Sequence, residues 1–192
     1  LVEYVGRAAG AQLGRLAGSA MTLGTGTVQP TGFVTALNTA GALTTATKQG
    51  TVTATFFSAV DLNDAIYALS PKYRNANTVW QVSTTAASKL RKLQDLNGQF
   101  IWQPAMVAGQ PETLLGFRVK ENVDMAAVAS ASKSVVLIHE PSFYIREAGG
   151  IDVATSSERY FDLNSVAIRA LYSVDSALPD TAAGRILVSA TS

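Results

Sequence analysis

Val166, Ile168, Ala170, Tyr172 and Val174 alternate one for one with Ala167, Arg169, Leu171, Ser173 and Asp175. Successive side chains of a strand point to opposite faces, so a period of two held this long demands an extended strand. Upstream, residues 143–146 and 151–155 flank Gly149-Gly150 and read as a hairpin that partners it. Residues 135–138 are apolar throughout, which suits a central strand covered on both faces. Residues 77–83 read as a buried strand, 114–119 as a strand interrupted by Gly116, and 185–188 as a last strand after Pro179 and Gly184.

Helical periodicity marks three other segments. Over 1–22, Val2, Val5, Ala9, Leu13, Leu16 and Ala20 fall on one face. Over 61–69, Asp61 is the expected cap and Asp64 the acid of a capping box; Leu62, Ile66 and Leu69 face inward, and Ser70-Pro71 ends the helix. A third helix is expected from Thr84 or Thr85 to Leu93, with Leu90 and Leu93 inward and Lys89, Arg91 and Lys92 outward. Asn97-Gly98 then reads as a turn before the run Phe100-Ile101-Trp102. Residues 23–58 are rich in Gly and Thr and read as a long loop, which in a compact domain is a functional segment or an interface arm. Helices mixed with antiparallel hairpins give an α+β class.

The first helix carries a second pattern. Gly6, Gly10, Gly14 and Gly18 recur every fourth residue. Each glycine in a helix interior costs up to about 1 kcal/mol against Ala. A stripe of them is expected where another backbone lies close, so these four are the candidate subunit-packing residues. In a membrane such a stripe would join helices, but Glu3, Arg7, Gln12 and Arg15 interrupt the apolar run, and no segment is long and apolar enough to span. A start at Leu1, already inside a helical pattern and with no signal peptide, is expected of a processed or trimmed product.

Composition narrows the chemistry. Of 192 residues 47% are hydrophobic and only 15% charged, against about a quarter charged in an ordinary globular chain. The deficit is filled by small residues, as expected of a surface that faces other protein. A net charge of +1 excludes a strongly basic nucleic-acid binder. The chain has no Cys and one His, so disulfides, thiolate metal sites and thiol nucleophiles are excluded, as is any site needing two imidazoles. His139-Glu140 is the one adjacent His–carboxylate pair, but on a strand the two point to opposite faces. Gly24 and Gly26 lack the third glycine of a dinucleotide fingerprint, and no phosphate-binding loop, nucleophile elbow or calcium loop occurs. Trp80 and Trp102 flank no basic stripe and read as core. No catalytic, cofactor-binding or metal-ligating residue is therefore assigned.

Several tracts, taken in order, are more specific. They are LRKLQDLNGQFIWQP (90–104), AGQP (108–111), LLGFRV (114–119), FYIREAGGIDV (143–153) and SERY (157–160), preceded by the opening helix with Gly24-Thr25-Gly26, Gln29-Pro30 and Gly32. The set, from about 1 to 190, resembles the tailed-bacteriophage major capsid proteins of the Hong Kong ninety-seven type. The resemblance implies an α+β capsid fold. Its peripheral domain would hold a spine helix and following loop (1–58) and the long strands (142–176). Its axial domain would span 59–141, with 177–192 returning to it.

It implies no enzyme and no cofactor. The expected product is an icosahedral head built from identical subunits in hexamers and pentamers around non-specifically contacted double-stranded DNA. Scaffold, maturation protease and portal proteins are the further partners, no membrane is involved, and the location is the virion, with assembly in the host cytoplasm. An N-terminal arm and extended loop normally precede the spine helix in that family and are not in this chain. The family's cross-linking Asn falls near Asp162, with Asn164 close by, and no Glu lies in 163–175, which counts against cross-linking. Two alternatives remain: an encapsulin-type compartment enclosing protein cargo, and a small α+β enzyme or ligand-binding domain using His139.

Overall fold

A computed structural model describes residues 2–46, 57–94, 99–100, 102, 112–156 and 158–190. In chain order its helices are α1 (Val2–Leu23), α2 (Phe33–Thr39), α3 (Ala59–Ala68) and α4 (Thr84–Arg91). Its strands are β1 (Leu43–Thr45), β2 (Thr78–Val82), β3 (Thr113–Leu114), β4 (Phe117–Glu121), β5 (Val135–His139), β6 (Tyr144–Ser156), β7 (Ala167–Ala177) and β8 (Gly184–Val188).

Six strands form one mixed sheet in the order β1-β8-β5-β2-β4-β3. The apolar run of β5 lies inside it, antiparallel to β2 on one side and β8 on the other. Val135, Val136, Leu137 and Ile138 are all buried, as an uninterrupted apolar strand must be. Trp80 on β2 is fully buried, and its indole N–H donates to the Leu114 carbonyl at 3.1 Å. Trp102 is buried too, with the Arg91 guanidinium 5.2 Å from its ring centre. Leu37 of α2 fills the space over Gly184, where a Cβ would come within 2.8 Å of it. The last strand β8 thus lies inside the sheet, between β5 and the edge strand β1, and runs parallel to β1.

The other sheet is a two-stranded antiparallel ribbon of β6 and β7. Its long strand β7 is where the alternation placed it. Its partner is not a hairpin around Gly149-Gly150, however. β6 runs unbroken for 13 residues, and the two glycines bulge out of it, both at positive φ (77° and 69°). Register passes from Ala148↔Ser173 to Ile151↔Tyr172 across them. Two extra residues preserve the inside–outside alternation, so both halves of β6 pair with the same strand.

Local chemistry explains the remaining departures. α3 begins two residues earlier than expected because Ser58 is its cap. The Ser58 hydroxyl accepts from the Asp61 N–H at 3.2 Å, and the Asp61 carboxylate accepts from the Ser58 N–H at 2.8 Å. Asp61 is thus the third residue of the capping box rather than the cap, and Asp64 has no part in it. Likewise Ser83 caps α4, accepting from the Ala86 N–H, in place of Thr84 or Thr85, and the helix stops at Arg91 short of Leu93. The 114–119 strand is a tight hairpin, with Leu115 and Gly116 at positive φ between β3 and β4. Within 23–58, expected to be a loop, α2 and β1 form. Residues 47–56, the Asn97-Gly98 turn, Ile101 and the tracts 103–104 and 108–111 lie outside the described residues.

The corner between α1 and α2 is backbone against backbone. The Gly32 N–H donates to the Gly24 carbonyl at 2.9 Å, and a Cβ on Gly32 would lie 2.5 Å from the Thr22 carbonyl carbon and oxygen. Only glycine fits such an approach. On α1 itself the expected apolar face is only half realised: Ala9, Leu13 and Ala20 are partly buried, whereas Leu16 is 67% exposed. The helix meets α2 and β7, and near its C-terminal end the Asn122 amide donates to the Thr22 hydroxyl at 3.1 Å.

Candidate functional site

Among the described residues the polar side chains are spread over several separate contacts. His139 ends β5, with its Nδ1 2.8 Å from the Ser142 hydroxyl and its Nε2 3.3 Å from the Asn75 amide nitrogen. Its ring lies 5.2 Å from that of Tyr73. Glu140 turns away to Lys120, at 2.6 Å. The pair is therefore split, although Glu140 lies just past the end of β5, in the turn Glu140–Ser142, and not on the strand itself. The Tyr73 hydroxyl donates to the Asp180 carboxylate and accepts from Lys72 Nζ at 3.0 Å, tying the segment before β8 to the segment before β2. The Tyr73 hydroxyl, aided by the Ala182 N–H, holds the Asp180 carboxyl below its ordinary value, and the same hydroxyl holds the Lys72 ammonium above its own. Arg91 pairs with Glu112 at 2.7 Å. These contacts hold elements together. Among the described residues no group of three or more His, Asp or Glu is placed to hold a metal, and no helix is long and apolar enough to cross a membrane.

The surface that stands out is the ribbon. Register puts Ile145, Glu147, Ile151, Val153 and Thr155 of β6 opposite Ser176, Val174, Tyr172, Ala170 and Ile168 of β7, all on one face. That face is mostly apolar, with Ser176 and Thr155 at its two ends and Glu147 between them; the Glu147 carboxylate accepts from the Tyr172 hydroxyl at 2.7 Å and so holds the phenol pKa above its ordinary value. At its root, Ser176 is buried and its hydroxyl donates to the Thr31 carbonyl. Opposite it Ile145, and farther out Ile151, Val153 and Ile168, remain 45–53% exposed. The opposite face sets Arg146 across from Asp175 and Asp152 across from Leu171. In the segment that joins the two strands at the ribbon's end, Leu163 and Val166 are also exposed. Contiguous apolar surface of this kind marks a contact site.

The glycine stripe faces open space. A Cβ at Gly6, Gly10 or Gly14 would meet nothing within 4 Å, and one at Gly18 would meet only the Asp124 carboxylate at 3.9 Å. No described part of the subunit closes on it. The alternation in the sequence disclosed one strand of the ribbon's apolar face; the contribution of β6 was hidden, because the glycine pair reads as a turn until its register is known.

Comparison with known proteins places this geometry. The model of the Phage capsid family matches residues 1–188. Among solved structures, the capsid of an empty GTA particle superposes with a TM-score of 0.79 at 24% identity, covering 100% of this chain and 67% of that one. A structure from Gordonia phage Cozz superposes with a TM-score of 0.65 at 12% identity, over 97% of this chain and 62% of that one. The holo-SrpI encapsulin of Synechococcus elongatus is a weaker match, with a TM-score of 0.59 at 12% identity, over 90% and 60%. The chain thus spans about two thirds of the length of the subunits it matches. No curated protein matches it.

Proposed function

The chain belongs to the phage capsid family, and from that premise we propose that it is the repeating structural subunit of an icosahedral phage head enclosing double-stranded DNA. One observation carries the reading: a long ribbon whose apolar face is only partly covered by its own subunit. Burying apolar area is worth roughly 25 cal/mol per Å², so copies that cover one another's ribbons associate. The work of such a subunit is contact, and it performs no catalysis. The charge of +1 leaves copies free to crowd side by side and gives only a non-specific hold on DNA.

In this proposal 59–141, with 177–192 returning to it, forms the axial domain and holds five strands of the six-stranded sheet, the sixth, β1, being lent by the segment 1–58. The segment 1–58 and the ribbon region 142–176 form the peripheral domain. Identical copies meet in hexamers and pentamers, and the stripe Gly6, Gly10, Gly14 and Gly18 receives a neighbour's backbone. Scaffold, maturation protease and portal proteins complete the set of partners. Assembly takes place in the host cytoplasm and ends in the virion.

The test places charge on the ribbon. Ile151→Lys with Val153→Lys changes two half-exposed side chains far from the central sheet, so the subunit keeps its melting temperature. Co-expressed with its phage partners, the variant should yield dispersed subunits where the parent yields particles. Particles of parental size and yield from the double variant would overturn the proposal.

A further inference from the structure

The ribbon has a rooted half and a free half, and the bulge lies between them. On the rooted side are the pairs from Tyr144↔Ala177 to Ala148↔Ser173, next to the buried Ser176 and Leu178 and the Ser176–Thr31 hydrogen bond. Beyond the bulge run Ile151↔Tyr172 to Ser156↔Ala167. Among the described residues no side-chain hydrogen bond or ion pair ties this outer half to the central sheet. At the boundary β7 pairs residue by residue while Gly149 and Gly150 of β6 bulge out of the ladder, both exposed, both at positive φ, with open space where a Cβ would stand.

We infer that Gly149-Gly150 is the joint of the ribbon, the point at which its outer half changes angle to meet neighbours in differently curved parts of one shell. This rests on the shell reading above. A bulge bends and twists the strand that carries it, and glycine moves within the left-handed region without the penalty other residues meet there. The outer half is six residues of β6, a lever of about 20 Å at ~3.3 Å per residue. A tilt of about 20° then carries the ribbon's end roughly 7 Å, more than a van der Waals contact. Closed shells place one chain in environments of unlike curvature, and a movable contact arm satisfies them with a single fold.

Deleting both glycines tests this cleanly. Removing two residues keeps the alternation of β6, so Ala148↔Ser173 runs straight into Ile151↔Tyr172 and no face is reversed. The chain has no cysteine, so Ser88→Cys on α4 and Thr155→Cys on the outer half give two unique spin-label sites. In the unassembled protein the parent should show a broad distance distribution, and the deletion variant one of roughly half that width. On assembly the parent should form closed particles and the variant flat, tubular or irregular ones. Equal widths in parent and variant would overturn the joint, as would closed particles of parental size from the variant. If the parent formed no particles under any condition, the shell reading would fail, while the width comparison would still decide whether the joint moves.

Discussion

Replacing Gly6, Gly10 and Gly14 together by Ala should move two assays in opposite directions. Within the subunit, a Cβ at each position meets nothing within 4 Å, so no clash opposes the change. Ala is favoured over Gly in a helix interior by about 1 kcal/mol per site, and the triple variant should gain ~2–3 kcal/mol against unfolding. Urea denaturation of the unassembled subunit reads this as a higher midpoint with an unchanged slope. Between subunits the sign reverses. If a neighbouring backbone lies along the stripe, three methyl groups push it away, and overpacking costs about 1–3 kcal/mol. Each 1.4 kcal/mol is tenfold in association, so the concentration at which particles appear by light scattering should rise by about tenfold or more. A stability gain with unchanged assembly would refute the packing role. A loss of stability would refute the account of α1 as a helix with an open side.

Four further outcomes follow from the same geometry. Gly32→Ala forces a Cβ against the Thr22 carbonyl at 2.5 Å and should destabilise the subunit by about 3 kcal/mol, measured by urea unfolding. Leu37→Ala empties the site over Gly184 and should cost roughly 2–5 kcal/mol in the same experiment. Asp180→Asn should lower the melting temperature most near neutral pH. The depressed Asp180 carboxyl contributes stability above its unfolded value and loses it as pH falls through its folded one, so by about pH 3 calorimetry should find the gap between parent and variant narrowing. Lys72 is held high and so contributes below its ordinary value; Lys72→Met should therefore narrow its own deficit only as pH rises past the ordinary lysine range.

Regular segments were legible from side-chain pattern, because the pattern and the burial have the same cause. The apolar run of β5 is buried along its length, and the alternation of β7 sets a strand with two unlike faces. What the pattern does not carry is which groups satisfy chain ends. Ser58 and Ser83 each sit one or more residues ahead of the acids and threonines that looked like caps, and only the hydrogen bonds distinguish them. The short α2 and β1 were hidden in a Gly- and Thr-rich tract. Yet Phe33, Val34 and Leu37 at helical spacing are all buried there, a signal masked by the absence of a side-chain cap at Gly32. Gly149-Gly150 misled for a subtler reason. Two left-handed glycines serve equally as a hairpin turn or as a two-residue bulge, and the length of the partner strand β7 decides between them.

The candidate contact site was legible to a similar depth. The glycine stripe is visible in the spacing alone, and the structure leaves it facing outward. The apolar face of the ribbon depends on a register between strands far apart in sequence, which spacing within one strand cannot supply.

Electron microscopy of the protein expressed from its complete gene, at rising concentration and with its phage partners, tests the central claim most directly. The account predicts closed icosahedral particles in which the β6–β7 ribbon of each subunit lies against a neighbouring copy. Subunits that stay dispersed at every concentration, or particles whose ribbons face only solvent, would contradict it.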